Sequence, residues 1–351
     1  MKAVQRKLDP TRPCTAAMNG SWGEGFTYAV DVQGSNYYKI GNIDAVHEKF
    51  PNLPCIFTEE ASTVMTRGIY QTDAKKGFHQ AYDRDCPGWG ARAQEWMRYV
   101  DARKFVAGAF VWTGFDYGGE AQLHFWPGVV SHFGILDYCG FPKDAFWYYK
   151  AWWTEEPVLH VLPHWNGIGT DSVDVHLYTN MDEVELFLNG KSLGKKTVEK
   201  FDIPAWRVKY TPGKLLAKGK KNGKKYTELV ETTGKPASLQ LVSENGSSIQ
   251  GDGNDVAIVT VKVLDAKGRV VPIADNSIHF DVRNGKILGV GNGNPCSQEP
   301  DVFPAGSDVH RNAFNGYAQV LVTSDRSGQP IELTAVSEGL KDSKIIVEVT
   351  K

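Results

Sequence analysis

The sequence predicts a multidomain protein: half of a TIM-type (β/α)8 barrel, followed by two immunoglobulin-like β-sandwiches. Three observations predict it. Over residues 1–155, short apolar runs alternate with helix-period patterns, as in βα units on a parallel sheet. From Pro157 onward the apolar period falls to two and Asn-Gly turn pairs appear. The stretch before that change is too short for a complete barrel, which takes about 250 residues. The expected domains are 1–155, 157–233 and 236–351.

In chain order, Arg12–Met18 reads as a first strand ending at Asn19-Gly20, and Tyr28–Gly34 as a second ending near Asn36-Tyr37. Ile43, Val46, His47 and Phe50 fall at i, i+3, i+4 and i+7, a short amphipathic helix with His47 packed on its apolar stripe. The run Pro54–Phe57 is a third strand. Ala93, Trp96, Met97 and Val100 mark a second helix, and Phe105–Trp112 a fourth strand opening into Thr113–Tyr117. Beyond Pro157, Val173, Val175 and Leu177, then Val184, Leu186 and Leu188, alternate with polar residues. Asn189-Gly190 and Asn222-Gly223 mark hairpins, the second bracketed by lysines that read as a solvated face. Gly234-Lys235-Pro236 reads as a linker. Alternation resumes to Lys351 at the strand spacing of an immunoglobulin-type sandwich. Gly289–Gly293 superficially matches a dinucleotide fingerprint, but Pro295 follows and no helical pattern does.

The composition excludes several function classes. A formal charge of -2 argues against nucleic acid or an anionic membrane as the main partner. No apolar run reaches the roughly 18 residues of a membrane span. The five cysteines are far apart, with no Cys-x-x-Cys and no His pair at ligand spacing. That pattern disfavours a zinc site, and no metal or cofactor is expected. Ten Trp, 14 Tyr and 16 Phe form a high aromatic load, which leans toward carbohydrate because aromatic faces suit sugar C–H surfaces.

Chemistry concentrates between Ile56 and Tyr70. An apolar run ends in adjacent carboxylates, Glu59 and Glu60, as when a buried parallel strand delivers an acid to a barrel mouth. Neighbours on a strand face opposite ways, so only one of the two can face a site. The local pattern is equally compatible with two solvated loop charges.

Thr58-Glu59-Glu60-Ala61-Ser62, with Arg67-Gly68-Ile69-Tyr70 following, resembles the nucleophile segment of glycoside hydrolase family 2, the β-galactosidase and β-glucuronidase family. In that family Arg-Gly-x-Tyr follows the acid by eight residues, and counting back from Arg67 lands on Glu59. Leu8–Pro13 is similar to the entry to barrel strand five, and Phe110–Tyr117 to strand eight. Phe133–Asp137 with Gly140–Asp144 is similar to the exit toward the last barrel helix. The two β domains look like accessory sandwiches of a bacterial, Bacteroides-type branch.

The resemblance implies the carboxy-terminal half of the barrel, strands five to eight, in a retaining hydrolase of terminal β-linked sugars. It implies Glu59 as nucleophile, Tyr37 as its hydrogen-bond donor and Trp112 as a face for the sugar ring. Asn19 and Asn36, at strand ends, and Asp116 and Trp126 are further candidates for substrate contact. Family members carry the acid/base Glu after an Asn at the end of strand four, and no Asn-Glu occurs here. The expected partner is therefore the missing amino-terminal half of the same enzyme, and the chain alone should be inactive or very weak. Glu120 is the nearest other acid, at a position the family does not use. β-Glucuronidases hold the sugar carboxylate with Asn-x-Lys where Ser131 and Phe133 stand here, so a neutral sugar, galactose first, is implied. A β-mannosidase or β-glucuronidase specificity and a non-catalytic carbohydrate-binding scaffold remain alternatives. The parent enzyme is expected in the periplasm or outside the cell, and self-association into a homo-oligomer is left open.

Overall fold

The computed structural model describes residues 2–120 and 126–350. It is mostly β-sheet, in successive units. The first unit is built on four parallel strands that lie side by side in chain order. These are β1 (Ala17–Met18), β2 (Gln33–Asn36), β3 (Cys55–Ala61) and β4 (Val106–Trp112). The helices are α1 (Lys2–Leu8), α2 (Ile43–Lys49), α3 (Ala93–Asp101) and α4 (Asp144–Trp153).

The apolar signals fold as read for β3, α2, α3 and β4. Cys55 and Phe57 are fully buried and pack with Ile43 and Val46 of α2. The Asn42 side chain caps α2 by accepting from the Asp44 and Ala45 N–H groups. His47 stacks on Phe105 with ring centroids 4.0 Å apart, so it packs as expected. Asp83 accepts from the Ala93 N–H at 2.7 Å, satisfying a free donor at the start of α3.

The first two strands differ from the reading. Residues 12–16 form no strand, and Gly25–Tyr28 is a single 3-10 turn. The true second strand begins at Gln33 and is polar yet entirely buried. Its inward groups satisfy one another: Thr27 Oγ1 donates to Gln33 Oε1 at 2.8 Å, and Gln33 Nε2 to Ser35 Oγ at 3.1 Å. Gly34 lets β1 and β2 approach, because a Cβ there would lie 2.4 Å from the Ala16 carbonyl oxygen.

The middle unit pairs a three-stranded sheet between Leu159 and Lys209 with a four-stranded sheet between Glu183 and Glu231. Trp165, Val175, Leu177 and Leu186 fill the space between them. Both Asn-Gly pairs turn hairpins with positive φ at both residues, as a type I′ turn requires. The last unit has sheets of four and five strands around Val259, Val261, Phe280, Val320 and Leu333. All five cysteines are free thiols.

The units share packed contacts. Tyr148 and Tyr149 of α4 belong to one apolar cluster with Tyr178 and Phe201 of the middle unit, and the Tyr148 hydroxyl donates to the Phe201 carbonyl. Much of the aromatic load is therefore core. Arg67 ties the first unit to the last: Nε meets Asp137 Oδ2 at 2.7 Å, and Nη2 donates to the Asn292 and Phe314 carbonyls. Phe141, Phe314 and Tyr317 surround the guanidinium.

Candidate active site

A cleft of about 520 Å³ opens at the carboxyl ends of the parallel strands. Asn19 follows β1, Tyr37 follows β2, Glu59 lies in β3, Ser62 follows it, and Trp112 ends β4; all five line the cleft. Ile40, Trp89, Glu120 and Phe133 are the other described residues of the wall. The volume suits one or two sugar-sized groups, within the roughly 300–1,000 Å³ range of ligand sites.

The alternation of β3 divides the paired acids. Glu59 faces the cleft and accepts from the Tyr37 hydroxyl at 2.7 Å, while Ser62 Oγ donates to that hydroxyl at 2.9 Å. Burial, with Glu59 beside it, holds Tyr37 well above the usual phenol range, so it stays a donor. Tyr37, Ala61 and Ser62 all have positive φ (55°, 74° and 51°) without being glycine. Such backbone costs of order 1–3 kcal/mol per residue and collects where a site requires a fixed geometry. Here it brings the phenol and the hydroxyl onto the same carboxylate chain.

Glu60 points away and is fully buried. Its Oε1 accepts from the Tyr38 N–H at 2.6 Å. Burial pushes its carboxyl from 4.5 up to about 8, so the folded protein holds it protonated at neutral pH. A carboxyl with a raised folded-state pKa stabilises fully below the unfolded value and loses that contribution as pH rises toward 8. Glu60→Gln should therefore remove a fall in stability between pH 4.5 and about 8, read as unfolding midpoints across that range. A parallel pH dependence in both proteins would contradict the burial of a neutral acid.

The remaining expected residues separate. Trp112 lines the cleft and meets Tyr117 edge-on, with ring centroids 5.9 Å apart. Asn36 does not reach the wall; it is buried behind Asn19, donating to Asn19 Oδ1 at 2.9 Å and accepting from Thr58 at 2.6 Å. The expected substrate contact at Asp116 is corrected. Its carboxylate is buried against Lys143 Nζ at 2.7 Å and accepts from the Gly134 N–H, so it is spent on structure. Trp126 is also corrected: it is 75% exposed and does not line the cleft. The adjoining Pro127 carbonyl is held by Gln298 of the last unit.

Glu120 belongs to the wall although the family pattern leaves it unused; its carboxylate accepts from the Tyr117 hydroxyl. Trp89 was not anticipated either. It stands in Pro87-Gly88-Trp89-Gly90, and a large aromatic between glycines in a polar loop is the signal that could have found it. That loop is tied down by Lys39 Nζ on the Gly90 carbonyl and by the Ala91 N–H on Ala61.

Residues 239–346 match a family model described as glycoside hydrolase family 2 C-terminal domain 5, and residues 170–227 match one described as a domain of unknown function (DUF4982). The chain is 40% identical to the β-galactosidase BoGH2A of Bacteroides ovatus, over 96% of its own length and 41% of that protein. It is 28% identical to a β-glucuronidase of Formosa agariphila, over 91% of its own length and 33% of that protein. Among solved structures, a β-glycosidase from Bacteroides vulgatus superposes with a TM-score of 0.86 at 31% identity, covering 99% of this chain and 48% of that one. The chain thus spans less than half the length of these relatives.

Proposed function

This chain belongs to glycoside hydrolase family 2, and we propose that it carries the nucleophile half of a retaining hydrolase of terminal β-linked neutral sugars. In this reading the parallel strands are the second half of a (β/α)8 barrel over residues 1–155, and residues 157–233 and 236–351 form two immunoglobulin-like accessory sandwiches. One observation carries the proposal: the Glu59 carboxylate faces a cleft between Trp89 and Trp112 with the Tyr37 hydroxyl 2.7 Å away.

The reaction needs two carboxyl groups about 5–5.5 Å apart. Glu59 attacks the anomeric carbon while a second carboxyl protonates the departing oxygen. Water, deprotonated by that second group, then releases the sugar and frees Glu59. Asn19 and the two Trp faces hold the ring, and Glu120 accepts from its hydroxyls. The second carboxyl comes from polypeptide that the longer relatives carry. The described sheet supports this: β1 and β4 are its open edges, and Phe110 of β4 is 64% exposed. The polypeptide that adds the missing strands and second carboxyl is the expected partner. No Lys or Arg is among the described residues lining the cleft, which favours a neutral sugar over a uronic acid.

In the whole enzyme, Tyr37→Phe should lower kcat on an aryl β-galactoside by about 10- to 100-fold with little change in KM, the loss of one hydrogen bond to a charged group. An unchanged kcat would separate Tyr37 from the chemistry. A panel of aryl β-glycosides should be cleaved in the order galactoside before glucuronide. The reverse order would overturn the neutral-sugar reading.

A further inference from the structure

The last unit carries a cluster unrelated to the cleft. His279 lies in strand Ser277–Arg283, and His310 sits directly opposite in Val309–Asn312, the edge strand of the five-stranded sheet. Asp308 precedes that edge strand, and its carboxylate meets both rings: His279 Nδ1 at 2.9 Å and His310 Nδ1 at 3.7 Å. Asp308 and His310 are two apart, so they share a face, and directly paired residues share one as well. Three donors therefore converge on one side of the edge, each offering an atom within 4.8 Å of the others. Asp281 is two residues along from His279, on the same strand face.

From this geometry we propose that His279, Asp308 and His310 form a binding site for a divalent transition metal, zinc in the first instance. Two imidazoles and one carboxylate are the donor set that borderline-soft ions select, and they leave a fourth tetrahedral position for water. Zinc takes these ligands at roughly 2.0–2.2 Å, so the donor atoms must close by about an ångström. The side chains can do so, because they are 38–67% exposed and free to rotate. The Phe303 ring, 5.1 Å from His310, limits that ring from one side. The bound ion would clip the edge strand to its neighbour.

The test is a calorimetric titration of zinc chloride into the purified 351-residue chain, with thermal unfolding measured in parallel. One zinc per chain should bind and raise the unfolding midpoint. His279→Ala/His310→Ala should bind at least about tenfold more weakly and lose the thermal gain. Asp308→Asn keeps the shape of the cluster and should also weaken binding, which decides the matter if the double variant misfolds. Equal binding in wild type and variants, or no binding at millimolar zinc, would overturn the proposal.

Discussion

Glu59→Gln in the whole enzyme should lower kcat on an aryl β-galactoside by on the order of 10⁴-fold or more, the scale of losing a catalytic nucleophile. The amide is the same size, and its oxygen can still accept from Tyr37. The unfolding midpoint should therefore stay close to that of the wild type. What the variant loses is the negative charge that makes the oxygen a nucleophile. Glu60→Gln supplies the internal control. Glu60 is held neutral behind the strand and turned from the cleft, so its replacement should leave kcat within a few-fold. If Glu60→Gln abolished turnover and Glu59→Gln did not, the assignment of the two acids would be inverted.

The largest stability effect is expected at Lys143. Its ammonium is 1% exposed and donates to Asp116 and to the carbonyls of Met65 and His132. Burial pushes the Asp116 carboxyl up to about 7 and the Lys143 ammonium down, and each charge works against that shift in the other. Lys143→Met would leave Asp116 buried without its counter-charge, at a cost of about 3–5 kcal/mol. The first unit should then unfold roughly 10 °C lower, followed by tryptophan fluorescence. Neutralising the orphaned acid in Asp116→Asn/Lys143→Met should recover most of the loss. A single variant as stable as wild type would mean the pair contributes nothing.

This pair explains one failure of sequence reading. Asp116 follows an apolar strand as a substrate-facing acid would, and nothing local announces that Lys143 folds back onto it. Trp126 differs for a similar reason: the residues that follow it, Pro127, Val129 and Val130, are held by Pro295 and Gln298, far away in sequence. The strands that could be read, β3 and β4, carry continuous apolar runs. β2 could not, because its buried residues are polar and are satisfied by one another. Glu59, Tyr37 and Trp112 were implied by the family resemblance, and strand ends bring them with Asn19 to one mouth. Glu120 and Trp89 reach the same wall from loops, which have no period to read. The histidine cluster was hidden because its donors are 29 residues apart and meet only across a strand pair.

Glu59 should become covalently bonded to sugar during turnover. The direct measurement is incubation of the whole enzyme with an activated 2-deoxy-2-fluoro β-galactoside, followed by peptide mass spectrometry. One sugar should be added to the peptide spanning β3, on Glu59, with turnover lost in step. Label on Glu60 or Glu120, or an inactivated enzyme carrying no label on Glu59, would contradict it.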